Sequence, residues 1–97
     1  MKNFKEIKAT IKNSKEELRE KFKVKEIGIF GSFVRKENKK KSDVDILVEF
    51  EEGADLFDLI DLGFFLEKKL KRKVDVVSKR TLRKEIKKTV LRELVNL

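Results

Sequence analysis

An apolar run, Val24–Phe30, stops at Gly31-Ser32, and after ten intervening residues a second run opens as Asp43-Val44-Asp45-Ile46-Leu47-Val48. That punctuation constrains the chain more than any other feature of it. Residues i and i+2 of a strand point to one face, so Asp43 and Asp45 share a face while Val44, Ile46, Val48 and Phe50 line the other and meet a core. Oxygen-only ligands on one face suit a hard divalent ion, Mg2+ or Mn2+, of the kind that bridges to substrate phosphates. The Gly-Ser step supplies what faces such an ion: close-approaching backbone N–H groups and a hydroxyl for phosphate oxygens. Together they predict a nucleotide-handling site.

Topology follows from that chemistry. Ser32 ends the first strand and Asp43 begins the second, so the two meet only if the strands run antiparallel. Asp75 sits early in a third apolar stretch, between Val74 and Val76-Val77, where a carboxylate is costly unless paired or metal-bound. It converges with Asp43 and Asp45 if the second and third strands are parallel, joined by a right-handed crossover helix. Three convergent acids fit two-metal phosphoryl or nucleotidyl transfer, with Asp75 as the general base. Ser32 is expected to contact phosphate and to cap the short helical turn that follows. Arg35, one turn on, is expected to clamp a phosphate, with a surface pair to Glu37 as the alternative. The Lys39-Lys40-Lys41 run predicts a solvated loop with a weak attraction for phosphates.

The remaining periodicity completes the order. Apolar residues at 4, 7, 11, 18 and 22 predict one helix from Phe4 to Phe22, and a helical turn is expected over Ser32 to Glu37, then a polar loop from Asn38 to Ser42. The second strand runs from Asp43 to Phe50. Asp55 is the expected N-cap of a helix reaching Leu70, with Leu56, Leu59, Ile60, Gly63, Phe64 and Leu66 at helical intervals. A third strand over Lys73 to Val77 and a last helix over Thr81 to Leu94 follow. The pattern predicts one α/β domain spanning residues 1–97: a small mixed β-sheet with flanking helices.

Composition narrows the chemistry. Ninety-seven residues form one core, and with neither Cys nor His there are no disulfides, no thiolate or imidazole metal ligands and no histidine base. Catalysis is left to carboxylates, hydroxyls, cations, backbone groups or a metal. The net charge of +8 invites nucleic acid, but all eight aromatics are Phe, mostly at core spacing, so no stacking array accompanies the charge. Lys/Glu-heavy composition is also the habit of high-temperature proteins, which accounts for most of the excess. No membrane-length apolar stretch is present, and a cytoplasmic location is expected.

On Gly31-Ser32, the ten-residue interval and Asp43-Val44-Asp45, with Asp75 as third acid, the chain resembles the DNA-polymerase-beta-like nucleotidyltransferase superfamily. Its short length and Arg35 resemble the minimal nucleotidyltransferase (MNT) branch, although Lys36 stands where that branch usually has glycine. The resemblance implies an antitoxin that transfers AMP from ATP to a tyrosine of a helical HEPN-type ribonuclease toxin. It implies that Gly31 and Ser32 hold the triphosphate and that Asp43, Asp45 and Asp75 hold Mg2+. Two alternatives stay open: neutralisation mainly by binding, and nucleotidyl transfer to another acceptor.

Overall fold

The computed structural model describes residues 3–35 and 43–97. Within them, helices α1 (Phe4–Asn13) and α2 (Lys15–Phe22) lead into strand β1 (Val24–Phe30) and a 3-10 turn, Gly31–Phe33. Strand β2 (Val44–Phe50), helix α3 (Leu56–Leu70) and strand β3 (Val74–Ser78) follow. A second 3-10 turn, Lys79–Thr81, helix α4 (Lys84–Glu93) and a two-residue strand β4 (Val95–Asn96) close the chain. The Asn38 to Ser42 loop, the lysine run and the end of the predicted turn at Lys36 and Glu37 lie outside the described residues.

The sheet order is β3-β2-β1-β4, with β1 antiparallel to both β2 and β4 and β2 parallel to β3. The strand directions are therefore those the site chemistry demanded, and α3 is the crossover between the parallel pair. One face of the sheet meets α1, α2 and α3. Ile27 and Ile29 of β1 and Val44, Ile46 and Val48 of β2 are buried there with Ile7, Ile11, Leu18, Leu62, Leu66 and Leu70. The alternate residues of β2, Asp45, Leu47 and Glu49, occupy the other face, where α4 covers Leu47.

Several expectations are corrected. The helix predicted over Phe4 to Phe22 is two helices. Ser14 sits at φ −98°, ψ 0°, its hydroxyl donates to the Thr10 carbonyl at 2.9 Å and its N–H donates to Ile11 at 3.0 Å. A serine hydroxyl competing for backbone carbonyls in this way ends a helix, and the resulting break lets Ile7, Ile11 and Leu18 all reach full burial.

The predicted helix over Thr81 to Leu94 starts later, because Leu82 and Arg83 are extended, and it ends a residue sooner. The residues after it form β4, which was not foreseen. It adds to the free edge of β1, pairing Gly28 with Asn96 and Ile29 with Val95, and the Leu97 N–H donates to the Ile27 carbonyl at 3.0 Å.

The third strand is displaced by one residue from the expected Lys73 to Val77. In α3 the apolar residues split into two stripes. Leu62, Leu66 and Leu70 face the core, while Leu56, Phe57, Ile60 and Phe64 stand exposed. Asp55 caps α3 as expected, accepting the Asp58 N–H at 3.1 Å while the Asp58 carboxylate accepts the Asp55 N–H at 3.0 Å. No helix among the described residues is long and apolar enough to cross a membrane.

Candidate active site

The antiparallel register sets Phe30, the last residue of β1, opposite Asp45. The turn after β1 thus falls beside the acids. Gly31 takes φ +80°, and a Cβ placed on it would overlap the Asp45 carboxylate. Glycine is required there twice, once for the left-handed backbone and once for the close approach. The N–H groups of Val34 and Arg35 both donate to the Gly31 carbonyl, at 3.0 and 3.1 Å, which closes the turn. Phe33 anchors it: the ring is 1% exposed, and the Arg72 guanidinium lies 4.9 Å from its centroid.

The Ser32 backbone N–H donates to Asp45. Ser32 is not the cap of the turn, as was expected; the extended Phe30 holds that position, and Ser32 lies inside a single 3-10 turn. Its half-buried side chain remains beside the acids.

The parallel register pairs Asp45 directly with Asp75. Paired residues on neighbouring strands share a face about 5 Å apart, and Asp43 lies two residues before Asp45 on that same face. Asp43 and Asp75 are exposed and Asp45 is half-buried. Burial first, and then the negative charges of Asp75 and Asp43, push the Asp45 carboxyl above the usual aspartate range. The Arg35 charge and the Ser32 N–H pull the other way without cancelling this.

Among the described residues, no group of three acidic side chains is gathered closely enough to hold one ion as it stands. The donor set nevertheless fits a hard divalent cation. Every ligand is a carboxylate oxygen, and the like charges that disfavour ionised Asp45 are what a bound cation would offset.

Arg35 meets a partner that the sequence reading did not name. Its Nη1 donates to both oxygens of Glu93, at 2.7 and 2.9 Å, and the Gly31 N–H donates to Glu93 Oε2 at 3.2 Å. Glu37 lies outside the described residues. Glu93 escaped sequence reasoning, although one signal was present: it closes a helix, where the macrodipole disfavours an anion unless a specific cation meets it.

A concavity of about 750 Å³ lies at the far ends of β2 and β3 among Glu51, Gly53, Leu56 and Arg80, away from the acids.

Known proteins share this arrangement. The nucleotidyltransferase domain family model matches residues 11–97. The protein adenylyltransferase MntA of Thermococcus cleftensis is 52% identical over 95 residues, covering 98% of this chain and 96% of that protein. A solved structure assigned as a minimal nucleotidyltransferase superposes with a TM-score of 0.85 at 34% identity, over 99% of this chain and 97% of that one. A chain from a mutant of the toxin–antitoxin MntA-HpeT superposes with a TM-score of 0.66 at 25% identity, over 89% of this chain and 69% of that one. With a glycine-serine turn set against aligned acids and relatives that match nearly end to end, the chain belongs to the nucleotidyltransferase domain family, in its minimal protein adenylyltransferase branch.

Proposed function

We propose that this adenylyltransferase is the cytoplasmic antitoxin of a toxin–antitoxin pair, transferring AMP from ATP to a tyrosine of a HEPN-type ribonuclease, with residues 1–97 acting as one minimal domain. The observation that carries the reading is the direct pairing of Asp45 with Asp75 beside the Gly31-Ser32 turn. The acceptor must come from a partner, because the chain contains no tyrosine. The toxin–antitoxin relative of the same fold supports that assignment.

In this mechanism Asp43, Asp45 and Asp75 would hold Mg2+, with Mn2+ as a substitute. The cation, when bound, supplies charge stabilisation to the phosphates and the attacking and leaving oxygens. Gly31 lets the backbone approach the triphosphate, and the Ser32 hydroxyl donates to a phosphate oxygen. Arg35 adds a fixed positive charge on the phosphate side. Asp75 accepts the proton of the incoming tyrosine hydroxyl. That oxygen bonds to the α-phosphorus while the bond to the bridging oxygen breaks, and pyrophosphate leaves with both electrons of that bond.

Calorimetry with ATP and Mg2+ tests the site. The wild type is expected to bind ATP more tightly with Mg2+ than without, and Asp43→Asn and Asp45→Asn are each expected to remove that difference. A Mg2+-dependent gain in affinity unchanged from wild type in both variants would overturn the ligand assignment.

A further inference from the structure

Among the described residues, Glu93 is a carboxylate bonded to the Gly-Ser turn that does not belong to the acid cluster. Its side chain is 19% exposed, and its two oxygens accept three bonds: both take Arg35 Nη1, and Oε2 also takes the Gly31 N–H. The sheet order fixes the direction from which it arrives. β1 lies between β2 and β4, and Glu93 ends α4 just before β4, whereas Asp45 approaches the turn from β2 and takes the next amide, that of Ser32. The two carboxylates therefore flank the turn, Asp45 on the metal side and Glu93 on the opposite side.

We propose that Glu93 is a positioning residue for nucleotide binding: it braces the Gly31 amide and aims the Arg35 guanidinium across the turn toward the phosphates. The inference rests on the reading of Gly31, Ser32 and Arg35 as the phosphate-binding side of the site. A guanidinium is a rigid planar fork, so fixing one nitrogen fixes the direction of the whole group. A long side chain ordered in advance loses less freedom when a ligand arrives, and affinity rises accordingly. Glu93 also explains why the last elements matter to a site they do not contain. β4 is held on β1 by backbone pairing, and Glu93 stands two residues before it.

The test measures affinity for α,β-methylene-ATP with Mg2+ by calorimetry, KM and kcat for AMP transfer to the partner toxin, and melting temperature. Wild type, Glu93→Gln, Arg35→Ala and the double variant are compared. Glu93→Gln is expected to raise the analogue Kd and the ATP KM about tenfold, a change of ~1.4 kcal/mol, with kcat changed less than twofold. The double variant is expected to bind no worse than Arg35→Ala alone, because Glu93 acts through Arg35. Should Glu93→Gln melt below assay temperature, Glu93→Asp, which keeps the charge but shortens the reach, replaces it with the same expected pattern. Wild-type Kd and KM in the variant, a kcat loss without a KM change, or additive losses with Arg35→Ala would overturn the assignment. Tighter binding by the variant would do so as well, since it would make Glu93 a competitor of phosphate. A wild type that neither binds the analogue nor transfers AMP would overturn the functional reading itself, and this inference with it.

Discussion

At the residue scale, Asp45 carries the energetic cost of the site. It is half-buried, its carboxyl is pushed up by burial and by Asp75 and Asp43, and it holds the Ser32 amide. An acid whose folded pKa lies above its unfolded value favours the fold while protonated in it. That advantage fades as pH rises from the ordinary aspartate range through the raised value. With EDTA present, Asp45→Asn is therefore expected to melt higher than wild type, by a margin that grows from about pH 4 to about pH 7. Added Mg2+ should raise the wild-type melting temperature and leave the variant unmoved. A margin that shrinks with pH would contradict the repulsive surroundings assigned to Asp45. The turn gives a second expectation, with Gly31→Val harming nucleotide affinity far more than Ser32→Ala. Valine cannot adopt φ +80° without strain and would strike Asp45, whereas losing one hydroxyl costs about 1 kcal/mol. Calorimetry on both variants checks the ranking, and wild-type affinity in a folded Gly31→Val would remove the turn from the phosphate site.

At the scale of elements, what the sequence made legible was whatever local chemistry dictates. The Gly-Ser stop, the alternation from Val44 to Val48 and the Asp55 cap located β1, β2 and α3, and the demand that Ser32, Asp43 and Asp75 converge set the strand directions. What stayed hidden depends on contacts distant in sequence. Two residues carry no period, so β4 could be found only from the open edge of β1. The exposed stripe of α3 has the same spacing as the buried one. Glu93 acquires meaning only when α4 is laid against β1. Gly28 holds that last arrangement in place: a Cβ there would lie 2.7 Å from Leu94 Cδ1 and 2.9 Å from the Val95 carbonyl oxygen. Overpacking of this kind costs about 1–3 kcal/mol, and the carbonyl cannot yield without breaking the β4 pairing. Gly28→Val is expected to lower the melting temperature by several degrees and to weaken nucleotide binding by lifting Glu93 from the turn. An unchanged melting temperature would mean that α4 and β4 do not pack on β1 as described.

At the scale of the whole molecule, the sheet separates its functions by face and by edge. The face against α1, α2 and α3 is apolar and supplies stability, while the acids stand on the reverse face at one end of the strands. Neutralisation could still proceed by stoichiometric binding, and turnover separates the two accounts. The decisive measurement is label transfer from ATP to the partner toxin with this protein substoichiometric to it. Label from α-labelled ATP is expected to accumulate on the whole toxin pool, none should appear from γ-labelled ATP, and Asp75→Asn should abolish transfer while the two proteins still associate. Inhibition that needs a full equivalent of antitoxin and persists in the Asp43, Asp45 and Asp75 variants would contradict the catalytic account.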